Sequence, residues 1–331
     1  FYIDDNFNDT GTLYVTSVLS SEDYGLKQYY ANLGIDSGGD TEVTTNSNKD
    51  QLANYVVRDN SLYVTYDGGE KYVTVPASYS YLLYEDNSTT SLKEGSYMIT
   101  TEKTAFVYGG KTANSTKVPV TVIYSDDKGE NWTTCELDNI YNADYYYVKF
   151  FDVNNGVVIC GYAKSNDTNE SSRIYKTSNG GESWETVGSG PATNIIKGVV
   201  YVTADVGFFC YDYVDGMDSN LYKTDDGGKT FAKVILEAQE LDSSAANSQN
   251  QESSSKADGT TSVTSESTEQ LKWNDVYKEA LVPVVDSTGI ITIYLTQGKN
   301  GVYNDGKTAA KYQSSDNGST WKYIGQMEIK D

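Results

Sequence analysis

One eight-residue pattern limits what this chain can fold into more than any other feature. It runs from Ser125 to Trp132 (SDDKGENW) and returns as TSNGGESW from Thr177 to Trp184, TDDGGKTF from Thr224 to Phe231 and SSDNGSTW from Ser314 to Trp321. A weaker copy, TYDGGEKY, spans Thr65 to Tyr72. Every copy has Ser or Thr first, Asp or Asn third, Gly fifth and an aromatic ring eighth. An Asp/Asn-Gly segment between two β-prone runs is a hairpin turn. The third side chain accepts backbone N–H groups, the first hydroxyl bonds the same loop, and Gly takes backbone angles that a Cβ opposes. The aromatic opens the outgoing strand, where it can pack sideways into the next unit. Asp67, Asp127, Asn179, Asp226 and Asp316 are therefore expected to be structural turn clips, with Trp132, Trp184, Phe231 and Trp321 as aromatic pegs.

The third positions are separated by 60, 52, 47 and 90 residues. The long interval contains residues 237–272, rich in Ser, Gln and acids and nearly free of large apolar side chains, a composition that cannot repay the entropy of ordering. Without those 36 residues the interval falls to 54. Each period holds four β-prone runs: YYYVKFFDV, GVVICGYA, RIYKT and WETVG around Asn179, and IKGVVYVTA, VGFFCYDY, NLYKT and FAKVIL around Asp226. Four short strands per repeat without helical periodicity predict an all-β fold, a single β-propeller of four-stranded antiparallel blades with the clips in third-to-fourth strand turns. A two-sheet sandwich fits less well, because sandwiches do not repeat one turn at a fixed place. The expectation is five or six blades. Residues 54–331 form the propeller, and residues 1–53 supply an N-terminal strand, TLYVTSVL at 12–19, and an irregular segment belonging to the first or closing blade.

On these motifs the chain resembles the Asp-box, or bacterial neuraminidase repeat, propellers over roughly residues 54 to 327. That group includes sialidases, two-propeller xyloglucanases and photosystem II assembly factors. The resemblance implies the fold and not the activity, since Asp boxes lie away from the sialidase active site. Sialidases of the group hold the substrate carboxylate with three arginines, whose planar forks match it as lysine does not. This chain has only Arg58 and Arg173, so that cluster cannot be assembled.

Composition removes further classes. The 331 residues include no histidine, which excludes Ser-His-Asp and Cys-His nucleophile pairs and imidazole metal sites. With 47 acids against 25 bases the formal charge is −22, which repels nucleic-acid phosphates and argues against a nucleic-acid partner. No calcium loop of EF-hand spacing occurs, and neither a metal nor a cofactor is expected. A carboxylate-pair glycoside hydrolase stays open, because such chemistry needs only one acid and one base or nucleophile at suitable separation. Cys160 and Cys210 lie in apolar runs and read as buried thiols. No run of 18 apolar residues marks a membrane span. The start at Phe1 points to removal of an upstream segment, an export signal or anchor, and so to an extracellular or cell-surface location.

In an antiparallel blade the clips share one end with the first-to-second turns. The irregular segments, at 76–94, 109–117, 164–172, 214–219, 237–272 and 298–309, fall at the other end. Binding resides on irregular loops carried by a rigid frame. A protein or glycan partner is thus expected at the end opposite the clips. Tyr79, Tyr81, Tyr84, Tyr141, Tyr213 and Tyr303 fall on or beside those connections as candidate ligand-binding rings. No catalytic residue is nominated.

Overall fold

The computed structural model describes residues 53–58, 61–78, 82, 92–111, 117–141, 143–162, 172–191, 194–241, 272–298 and 301–329. The strand expected at 12–19 and residues 242–271 of the insert lie outside them. The described residues form a β-propeller of successive antiparallel sheets with almost no helix. The first sheet holds β1 (Asn54–Arg58), β2 (Ser61–Thr65) and β3 (Val73–Thr74). The second holds β4 (Tyr97–Ile99), β5 (Thr104–Lys111), β6 (Lys117–Ser125) and β7 (Thr133–Tyr141). The third holds β8 (Tyr145–Phe150), β9 (Gly156–Gly161), β10 (Ser172–Thr177) and β11 (Glu185–Ser189). The fourth holds β12 (Ile196–Tyr201), β13 (Gly207–Tyr211), β14 (Leu221–Thr224) and β15 (Ala232–Lys233). In the fifth, β16 (Glu279–Ala280) and β17 (Val284–Val285) both pair β18 (Ile291–Thr296), followed by β19 (Thr308–Ser314) and β20 (Lys322–Glu328). Pro283, which has no N–H to give a ladder, lies in the gap between β16 and β17. A single helical turn, α1 (Trp273–Val276), precedes them.

Register places the clips at one corner of every sheet. The first residue of each clip pairs with the opening residue of a second strand: Ser125 with Thr104, Thr177 with Gly156, Thr224 with Gly207 and Ser314 with Ile291. Thr65 pairs in the same way with Asn54, so β1 corresponds to a second strand, and no first strand of that sheet is among the described residues. The alternation of the strands then buries both faces. In β8, Tyr146, Val148 and Phe150 pack toward the second sheet, while Tyr145 and Tyr147 pack toward the fourth. The next interface joins Phe208, Cys210 and Leu221 of the fourth sheet to Ala280, Val282, Ile291 and Ile293 of the fifth. Full burial of each such large apolar side chain is worth about 2 kcal/mol. The FAKVIL run yields only the two-residue β15, because Phe231 is used as the peg and Val234 leaves the regular ladder, donating its N–H to the Leu221 carbonyl at 2.9 Å.

The clips bond as their residues require. In the fourth sheet the Thr224 hydroxyl donates to Asp226 (2.9 Å) and accepts the Gly228 N–H (2.8 Å), while Asp226 accepts the N–H groups of Lys229 and Thr230. Positions four and five are both left-handed, at φ 76° and 104° for Gly227 and Gly228. Lys128 and Asn317 hold the fourth position at φ 58° and 56°, which explains why glycine is constant only at the fifth. Each peg packs at the interface with the preceding sheet, with Trp321 meeting Phe208 edge-on at 6.0 Å.

The clip end is occupied by its own bonding. The Gly180 and Gly227 N–H groups donate to the carbonyls of Asn154 and Asp205, both at 2.8 Å, tying each clip to the first-to-second turn of its sheet. Lys103, almost wholly buried, crosses from the second sheet to the third. Its ammonium donates to the Gly180 carbonyl at 2.6 Å, pairs with Asp126 at 2.5 Å and lies between the Tyr124 and Phe150 rings. Lys176 makes the next crossing, to the Ala204 carbonyl at 2.7 Å.

Candidate ligand-binding face

Because third strands run into the clips, first strands begin at the opposite end, where they lie close against neighbouring sheets. Gly95, just before β4, faces the Tyr146 carbonyl, and a Cβ on Gly198 of β12 would lie 2.5 Å from the Val282 side chain. Between these strands, at the loop-bearing end, a cavity of about 470 Å³ opens. It is bordered by Gly95, Gly161 and Gly198 and by Tyr145, Tyr146, Tyr147 and Tyr162. Lys93, Glu94, Asp144 and Lys197 bring charge of both signs to it, and Ile195 stands at its edge.

The tyrosines are there because a first strand has an open edge. Among the described residues strand β12 has no neighbour on its axial side, and the preceding sheet supplies acceptors for its amides. The Val199 N–H donates to the Tyr145 hydroxyl at 2.8 Å, and the Tyr201 N–H donates to the Tyr147 hydroxyl at 3.1 Å. The Tyr146 hydroxyl donates to the Gly109 carbonyl at 2.9 Å, and its ring lies 5.6 Å from the Lys93 ammonium. Burial pushes the Tyr146 and Tyr147 phenols far above their usual range, so both present neutral hydroxyls. Burial likewise pushes up the thiols of Cys160 and Cys210, which leaves them inert. Lys197, exposed at the mouth, pairs with Asp212 at 2.7 Å. The cavity can take a ligand by ring contact and by hydrogen bonds of either sense. No group of three or more His, Cys, Asp or Glu side chains disposed to hold a metal ion occurs among the described residues.

The six nominated tyrosines fare unequally. Tyr79, Tyr81 and Tyr84 lie outside the described residues. Tyr141 closes β7 opposite Pro119, with its side chain outside the described set. Tyr213 is half-buried at the rim, 5.7 Å from the Lys278 ammonium. Tyr303 is buried at 3% exposure, set edge-on to Tyr277, and the Gln297 amide takes up both its N–H and its carbonyl. The structure thus keeps Tyr303 inside the fifth sheet's packing. The tyrosines that do border the cavity, Tyr145, Tyr146, Tyr147 and Tyr162, belong to or directly follow strands. Their signal was the clip register itself. Counting back from each clip through three strands reaches the first strand, whose opening residues must border the axis.

No family model matches the chain, and no curated protein is similar to it in sequence. Among solved structures, the chain is similar to a GH74 enzyme of Niastella koreensis at 16% identity and a TM-score of 0.44, over 84% of this chain and 36% of that one. It is similar to YCF48 bound to D1 peptide at 14% identity and a TM-score of 0.40, over 83% of this chain and 77% of that one. It is also similar to PorZ, a surface component of the type-IX secretion system of Porphyromonas gingivalis, at 10% identity and a TM-score of 0.36, over 83% and 37% of the two chains. The chain spans about a third of the length of the GH74 enzyme.

Proposed function

We propose that this chain is a non-catalytic binding or assembly module of the Asp-box type, exported or displayed at the cell surface, which takes a protein or glycan at the end opposite the clips. The observation that carries the reading is the contrast between the two ends. One is filled by clip bonding and the buried Lys103, while the other opens into a cavity of about 470 Å³ bordered by four tyrosines. A second reading, glycoside hydrolysis, draws on Glu94 and Asp144, two exposed carboxylates that border the same cavity. A screen with chromogenic and polymeric glycosides separates the two. The expected result is no turnover by the parent protein. Turnover abolished in Glu94→Gln or Asp144→Asn would replace binding with catalysis.

A further inference from the structure

Among the described residues, six large apolar side chains are markedly exposed: Val153, Ile195, Val214, Ile235, Val302 and Ile324. Val153 lies in the first-to-second turn of the third sheet, at the clip end, and Ile324 lies on the outer strand β20. The other four belong to the loop-bearing end. Three of them are in the fourth sheet: Ile195 just before β12, Val214 in its second-to-third turn and Ile235 just beyond β15. Ile195 and the Val214 turn are adjacent, since the Asp212 N–H donates to the Ile195 carbonyl at 2.9 Å.

That turn is held in place. Asp212, Asp215 and Asp218 each pair with a lysine from a different strand or connection: Lys197 of β12 at 2.7 Å, Lys278 before β16 at 2.9 Å and Lys233 of β15 at 2.8 Å. Exposed ion pairs add little stability, but three of them diverging from one seven-residue stretch fix its direction. Between them Val214 and Met217 close a tight turn, the Met217 N–H donating to the Val214 carbonyl at 3.1 Å, and Val214 is left 53% exposed. The turn stands between two openings. On the axial side is the cavity bordered by Ile195 and Lys197, and on the outer side a second of about 300 Å³ is bordered by Met217, Ile235, Leu236 and Lys278.

We propose that this ridge and its two flanking cavities dock a basic, apolar-rich segment of another polypeptide. The inference rests on the binding-module reading above and narrows it from protein or glycan to protein. The axial cavity is bordered by tyrosines, but the exposed ridge between the two cavities, Ile195, Val214 and Ile235, is aliphatic and gives a sugar ring no aromatic face, whereas an aliphatic ridge with adjacent pockets is what apolar side chains of a protein segment fill. The ridge's own aspartates are paired with lysines, and a basic partner suits the excess of acid over the whole chain, 47 acids against 25 bases, a long-range field that steers cationic segments.

The test uses a phage-displayed random dodecapeptide library and a printed glycan array, both probed with the full chain. Selected peptides should combine large apolar residues with Lys or Arg. Val214→Asp and Ile195→Asp should each weaken a selected peptide about tenfold or more, and Val153→Asp at the clip end should leave it unchanged. Affinity should also fall as NaCl rises from roughly 0.05 to 0.5 M. Since Ile195 and Val214 are exposed, unchanged thermal unfolding of the variants will show that the fold is intact. Peptides indifferent to Val214→Asp and Ile195→Asp, or failure to select any, would overturn the inference. Glycan binding lost on Tyr162→Ala would overturn it while leaving the binding-module reading standing. Silence on both arrays would count against both.

Discussion

At the scale of single residues the clips are hydrogen-bonded carboxylates in solvent. Asp226 and Asp316 are held well below the ordinary carboxylate range, first by the hydroxyls of Thr230 and Thr320 and then by the N–H groups of the same residues. Asp67 and Asp127 are lowered too, chiefly by the N–H groups of Lys71 and Asn131. A carboxyl lowered on folding stabilises the fold fully above its unfolded value of about 3.9, and that contribution disappears as pH falls through the folded value. Stability should therefore drop progressively below about pH 4. Asn179 shows that an amide can fill the position, accepting from Thr177 at 2.8 Å and from the Ser183 N–H at 3.1 Å. The double variant Asp226→Asn, Asp316→Asn should keep the fold at neutral pH and show a shallower acid limb in urea unfolding. An unaltered limb would mean the clip acids do not contribute to it. The Thr224 hydroxyl has a separate role, because it is buried and satisfies the Gly228 N–H. Thr224→Val should cost about 1–3 kcal/mol in the same assay, and a change within error would show the amide has another partner.

Among elements, the exposed edge of each first strand sets the chemistry near the axis. Tyr147 accepts the Tyr201 N–H, and Tyr147→Phe leaves that amide unpaired in the packed interface. The expected loss is about 1–3 kcal/mol, read by urea unfolding, with amide exchange at Tyr201 accelerated. Protection unchanged at Tyr201 would contradict the rung. These strands also mark how far the sequence could be read. The YYYVKFFDV, GVVICGYA and RIYKT runs become β8, β9 and β10 nearly at their expected bounds, because apolar density and Gly-bearing turns act locally. The site was not legible in the same way. Tyr145 and Tyr147 look like ordinary strand residues, and only the packing of one sheet on the next makes them line a cavity. Tyr303 had the opposite fate: it lies in a loop by sequence, but Gln297 bonds both its N–H and its carbonyl and draws it into the core.

For the whole molecule, the repeat separates two jobs. The clips close one end with short, constant turns whose polar groups are bonded within the fold, so variation accumulates at the other end, where no such bonding is needed. The fourth sheet carries this furthest, with one cavity shared with the second and third sheets at its axial side, another shared with the fifth at its outer side and the 212–218 turn between. The most direct test of this division is amide hydrogen exchange of the full chain with and without a peptide selected from the library. New protection should be confined to residues 93–97, 144–147, 194–199, 212–219, 234–236 and 274–280, with the clips at 125–132, 177–184, 224–231 and 314–321 unchanged. Protection centred on those clips instead would place the binding surface at the wrong end and contradict the account.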